Sequence, residues 1–301
     1  MSFKKSILLS TFLTSIVLPL SAETLARAIV ISGGRSDEVL LTKASKTQLF
    51  YKNRARDTAD RTIDRNLVSN VYFFRTESYQ RAFEAYAKGE FKIAKELFKG
   101  CKEEFATFDS IPGDYSSLSA YYEMECARRL GDLEASMTLF KSFRPEKLIN
   151  ESQRSQLEIY SIWENVSAES WDKVLTLARL LEKKKLPGYQ QAQISYCQGL
   201  AYQGKGEKDQ AIAKYNEGIA LSEFREPELI ENASEKIIDI LLQNEKVGEL
   251  LKKAGKIKEE NKFDQAYQDL KQASALALVW DSLTNQTRDL PSKYKKLLKV
   301  K

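Results

Sequence analysis

Apolar residues recur along this chain with two different periods, and the change falls near residue 77. Before it, short runs of strand character are separated by turn residues: Ala28–Ile31, Glu38–Leu41, Thr47–Tyr51, Arg61–Ile63 and Val71–Phe74, with Gly33-Gly34 between the first two. Runs of this length, rich in β-branched and aromatic residues and broken at hairpin spacing, predict five strands. Five strands in about 50 residues suit a small barrel over 23–76, resembling the Sm-like or Src-homology-like folds, with so little core of its own that it packs on the first helices. The charged stretch from Asn53 to Asp60 reads as a mobile connection within it.

After residue 77 the period is close to that of an α-helix. Tyr79, Ala82, Phe83 and Tyr86 fall at i, i+3, i+4 and i+7, and Gly89 ends the stripe; Phe91, Ala94, Leu97, Phe98 and Cys101 make the next one. Helices are predicted over 76–88, 91–107, 115–130, 133–143, 151–167, 170–184, 188–204, 208–222, 227–243, 246–260, 263–277 and 291–299, with Asp109–Asp114 as the clearest loop. Two such helices joined by a Gly-containing turn cannot bury their apolar faces alone, so each pair needs its neighbour.

The pairs also repeat. Gly89, Phe91, Ala94 and Phe98 are echoed by Gly131, Leu133, Ser136 and Phe140, and the clearest copy is Gly199, Tyr202, Gly206, Ala211, Ile212, Tyr215 and Ile219. Weaker copies follow Trp171 and Phe263. The small residues at matched places, Ala94, Ser136, Val174, Ala211 and Ala266, are 42, 38, 37 and 55 residues apart. Around Gly199 the chain resembles the tetratricopeptide repeat family, whose own period is about 34 residues, so each unit carries a longer connection. The family's terminal proline is mostly absent. The resemblance implies a mainly α protein, an α-solenoid of degenerate hairpins over 77–290, with the barrel-like module before it and a basic tail over 291–301.

In that family the first helix of each hairpin lines a concave surface, where exposed aromatics can grip a peptide or a helix. The positions that would do so here are Tyr79, Tyr121, Tyr122, Tyr160, Trp163 and Tyr196. The same spacing also suits core packing between helices. Tyr121 and Tyr122 are about 100° apart on a helix, so one of them is expected to be partly exposed. Arg128 and Arg129, late in the same helix, could clamp a carboxylate or simply compensate the helix dipole.

Composition narrows the chemistry. The chain of 301 residues is 43% apolar and 30% charged, which excludes a disordered polymer. It contains no histidine, which removes triads, the usual zinc sites and an imidazole acid–base shuttle. Cys101, Cys126 and Cys197 make no CxxC motif; Cys101 with Cys126 is the candidate disulfide, and buried free thiols are the alternative. The acidic pairs Glu103-Glu104, Glu123 with Glu125, and Glu226 with Glu228 mark no cleft, and neither glycine cluster forms a phosphate-binding loop. No cofactor or metal is expected.

Residues 1–22 read as a signal peptide: Lys4-Lys5, an apolar run from Ile7 to Leu20, and Ser21-Ala22 before Glu23. Its loss takes two from the 47 basic residues against 42 acidic ones. The remaining excess is too small for nucleic acid, even with lysine clusters at 252–258 and 293–301. The expectation is an exported, periplasmic or secreted, non-catalytic scaffold with no membrane span in the mature chain, holding a protein or peptide of the cell envelope. A cell-wall glycan as ligand and self-assembly into a homo-oligomer are the alternatives.

Overall fold

The computed structural model describes residues 24–253, 264–283 and 286–300. Residues 1–22, read above as a signal peptide, lie outside them, as do Lys256, Lys258 and Phe263. The chain begins with five strands, β1 (Ala26–Ser32), β2 (Arg35–Ala44), β3 (Gln48–Lys52), β4 (Arg61–Asp64) and β5 (Val68–Phe73). Eleven described α-helices follow: α1 (Glu77–Ala87), α2 (Phe91–Glu104), α3 (Tyr115–Arg129), α4 (Leu133–Ser142), α5 (Glu151–Ser167), α6 (Trp171–Leu181), α7 (Gly188–Gly204), α8 (Lys208–Leu221), α9 (Pro227–Leu242), α10 (Glu245–Lys252) and α11 (Gln265–Asp281).

The strands form one antiparallel sheet in the order β4-β3-β2-β1-β5. It is open, not the expected barrel: β4 and β5 sit on opposite edges and do not pair. The reason lies in what covers the inner face. Ala28, Val30, Val39, Leu41 and Leu49 are buried in one cluster with Tyr79 and Ala82 of α1, Phe91 and Phe98 of α2, and Phe105, Phe108 and Ile111 of the α2–α3 connection. With helices supplying the second layer, the sheet has no need to curl over itself. The 53–60 connection is a turn in which Asp57 Oδ2 accepts from the backbone N–H groups of Asn53 and Arg54.

Four of the helix-to-helix turns share one backbone geometry. Gly89, Gly131, Glu169 and Gly206 all have positive φ, and the next residue's N–H bonds back to the carbonyl of Ala85, Ala127, Asn165 and Tyr202 respectively. This is the left-handed helix stop that satisfies the last carbonyls. Five residues after each turn comes a fully buried side chain, Ala94, Ser136, Val174 or Ala211, where the second helix crosses the first. The internal repeat is thus a fixed offset between a turn and a close crossing. Phe140 stacks on Tyr160 at 5.4 Å, Tyr202 is half-buried, and Tyr215 lies against Gly199.

The C-terminal segment departs from the sequence reading. In place of a helix over 291–299 and a free basic tail there are two single turns, Ser292–Tyr294 and Leu297–Lys299, which bury Tyr294, Leu297 and Val300 in the main core. Tyr294 donates to Asp239 of α9 at 2.6 Å, and Ser274 of α11 donates to the Leu297 carbonyl. Three apolar side chains anchor a stretch whose lysines remain outside.

Gly199 faces the ring of Tyr215 so closely that a Cβ would lie 2.5 Å from it, whereas a Cβ at Gly100 meets nothing. Gly199→Ala is therefore predicted to lower the unfolding free energy by about 1–3 kcal/mol through overpacking. Gly100→Ala should raise it by about 0.5–1 kcal/mol through helix propensity. Urea denaturation of both variants checks the pair. Asp114, the fully buried N-cap of α3, has its carboxyl pushed up to about 6 by burial, against hydrogen bonds from Ser117. A raised carboxyl contributes its stability at low pH and loses it as pH climbs through about 6. Asp114→Asn retains a capping side chain, so its unfolding free energy should be flatter between about pH 4 and pH 7 than that of the parent; an unchanged slope would contradict this assignment.

Candidate functional site

The aromatics expected on an open groove are core residues. Tyr79 packs under the sheet, with its ring 4.6 Å from Tyr115 and 5.8 Å from Phe98. Tyr121, Tyr160, Trp163 and Tyr196 are all buried in the main helical cluster. Tyr122, the partly exposed member of its pair, stacks on Phe98 at 5.1 Å. These rings do not present a binding surface, because α3, α5, α7 and the start of α9 bring their polar side chains together and close the space between them.

Arg128 stands at the centre of that closure. Its Nη2 donates to Glu125 Oε2 at 3.0 Å and to Glu226 Oε1 at 2.9 Å. Gln193 Nε2 reaches the same Glu226 oxygen at 2.8 Å, and the Gln193 carbonyl oxygen accepts from Gln156 and from the Trp163 indole. Tyr160 donates to Glu125 at 2.5 Å. Burial works against the charge of Arg128, but Glu125 and Glu226 outweigh it and hold the guanidinium protonated. Glu226 is shifted upward, first by burial and also by Glu228 and Glu125, since three carboxylates share two guanidinium groups.

Arg129 points the other way. It forms a fork on Glu228, 2.5 Å from Nε and 3.1 Å from Nη2, donates to the Arg225 carbonyl at 2.9 Å, and lies over the Phe91 ring at 4.5 Å. Both arginines clamp carboxylates, but the chain's own: Glu125 of α3, Glu226 just before α9 and Glu228 on it. The acidic pair Glu226 and Glu228 is consumed here, and Glu123 is consumed by Lys102 at 2.5 Å. Cys101 and Cys126, the candidate disulfide, are separate buried thiols, as is Cys197. Burial pushes all three upward, Cys126 to about 12, which leaves little thiolate for nucleophilic or redox chemistry. Among the described residues there is no cluster able to hold a metal ion, and no helix long and apolar enough to cross a membrane.

An open concavity adjoins Arg129. A cleft of about 890 Å³ lies between the α1–α2 turn, the end of α3, the α8–α9 connection and the segment around Arg288. Tyr86, Phe91 and Arg129 line its floor, and Ile93, Leu130 and Phe224 are exposed at 56%, 45% and 68%. Phe224 and Glu223 both adopt positive φ, an uncommon backbone conformation for residues with side chains. The lining carries Lys88, Lys92, Arg129, Arg225 and Arg288 against the single carboxylate Glu90. Two helices start here and two end here, so their dipoles offset and the side chains set the sign of the field.

Of these residues only Arg129 was legible as a site candidate. The missed signal was Glu223-Phe224-Arg225, a large apolar residue between charges, outside either helical stripe and just before Pro227. Arg129→Lys keeps the charge but loses the planar fork and the stacking. It is predicted to lower the unfolding free energy by about 1–2 kcal/mol; a value equal to the parent's in urea denaturation would mean that the fork holds nothing.

Compared with known proteins, the chain matches no protein family, no curated protein and no solved structure.

Proposed function

We propose that this chain is an exported, non-catalytic binding scaffold of the cell envelope, in which the open cleft beside Arg129 receives a segment of a partner protein. The observation that carries the reading is the cleft itself. It gathers three exposed apolar side chains in one concave space edged by cations, and exposed apolar surface clustered with a polar rim is what interaction sites present. The hairpins with their shared turns are read as a degenerate tetratricopeptide-like α-solenoid whose inner face is occupied by its own side chains. Such arrays serve as rigid frames for recognition. The absence of histidine, the raised thiols and the internal pairing of Glu123, Glu125, Glu226 and Glu228 support a non-catalytic role. Export rests on Lys4-Lys5, the apolar run and Ser21-Ala22.

The test uses the full chain in its native cells, with a photo-crosslinking amino acid in place of Ile93 at the cleft or of Leu180 on α6, which is equally exposed at 55%. A mature chain starting at Glu23, with a protein adduct at the Ile93 position that is missing at the Leu180 position, is the expected result. An uncleaved chain contradicts export. Identical adduct patterns at the two positions, or none at the Ile93 position, contradict the cleft as the receiving surface.

A further inference from the structure

Resting on the reading of the cleft as a receiving site, we propose that its occupant is an extended protein segment rich in carboxylates that carries one aromatic or long aliphatic side chain. The cations of the lining are not equivalent. Arg129 is spent on Glu228, and Arg288 on Glu231 and Glu235. Lys88 and Lys92 make no ion pair among the described residues, and Arg225 has only a 3.8 Å contact with Glu223 across an exposed flank. Three cationic heads with donors to spare thus stand around a space with one lining carboxylate, Glu90.

Between them lies the apolar part. Phe224 projects into solvent from a left-handed backbone, where a nonglycine residue is disfavoured, and Ile93 and Leu130 are exposed across the same cleft. An apolar side chain entering there would be covered by Phe224, while flanking carboxylates meet Lys88, Lys92 and Arg225. Its unspent cations, Lys88, Lys92 and Arg225, are exposed side chains spread over the α1–α2 hairpin and the α8–α9 connection. That arrangement suits a chain lying across the cleft better than a small molecule, which is usually held by convergent groups in an enclosing pocket. A membrane surface fits less well, because Ile93, Leu130 and Phe224 line a concave space and not a convex face. Exposed ion pairs contribute modestly and are weakened by salt, so the central apolar contact carries most of the affinity and the charges set the choice of partner.

The proposal is tested by fluorescence anisotropy on the mature chain, titrated into a short labelled peptide of alternating Glu and Ser around one Phe. A peptide with Gln for Glu and one with Ala for Phe are titrated in parallel. The expected result is saturable binding of the first, weaker by about tenfold or more for each of the other two, and weakened on raising salt towards the level of the Gln peptide. Lys88→Glu with Lys92→Glu, both on the surface, should weaken the acidic peptide about tenfold and leave the Gln peptide unaffected. Phe224→Ala should weaken every peptide that carries Phe. Equal binding of the Glu and Gln peptides, still sensitive to Phe224→Ala, overturns the acidic segment while leaving the cleft as a receiving site. Failure of the acidic peptide to bind overturns the inference whatever the crosslinking at Ile93 shows. Tighter binding to phosphatidylglycerol vesicles than to the peptide, lost in the Lys88/Lys92 variant, overturns it in favour of a lipid surface.

Discussion

A guanidinium taken out of water must find carboxylates, and in this protein that requirement joins parts of the chain that are far apart. Arg128 on α3 and Glu226 before α9 are 98 residues apart. A buried arginine left unpaired would cost several kcal/mol, so wherever α3 packs, the start of α9 has to follow. Gln156, Trp163 and Gln193 complete the network from α5 and α7: Glu226 accepts from Gln193, whose side-chain oxygen in turn accepts from Gln156 and Trp163. The aromatic rings between these helices are consequently enclosed. The polar cluster thus defines which faces of the helices are inside, a task that apolar packing alone could satisfy in several ways.

The same clamp accounts for the open cleft. Arg129 fixes Glu228 and the Arg225 carbonyl, and so holds the beginning of α9 against the end of α3 and the turn after α1. The short connection from α8 must then reach that fixed point, and it does so through two residues in left-handed conformation, which turns Phe224 outward. The cleft and its exposed aromatic are consequences of where the charged pair pins the chain.

Much of the frame could be read from the residues, and the failures have a common cause. The strands, the helices through α9 and the spacing of the repeats follow from period and from turn glycines. Glu169 stops a helix as Gly89, Gly131 and Gly206 do, without being glycine, so that turn was visible only through its spacing. The barrel was not legible as an open sheet, because Phe108 and Ile111, which with Phe105 cover its inner face, lie in a connection and fit no stripe. The closed interior was not legible because it is lined by Glu125, Arg128, Gln156, Gln193 and Glu226, residue types that in a periodic pattern read as a wet face. Taking those polar positions as exposed made their aromatic neighbours look like a groove. The cleft residues escaped because Lys88, Lys92 and Phe224 become neighbours only once α9 is anchored.

The central claim is that the Arg128–Glu226 pair closes the molecule, and a double-mutant cycle measures it most directly. In urea denaturation Arg128→Met alone is predicted to lower the unfolding free energy by about 3–5 kcal/mol, because it strands buried carboxylates. In a Glu226→Gln background the same change is predicted to lose at least about 2 kcal/mol less. An equal loss in the two backgrounds, within about 0.5 kcal/mol, would show that the two side chains do not depend on each other and would contradict the account.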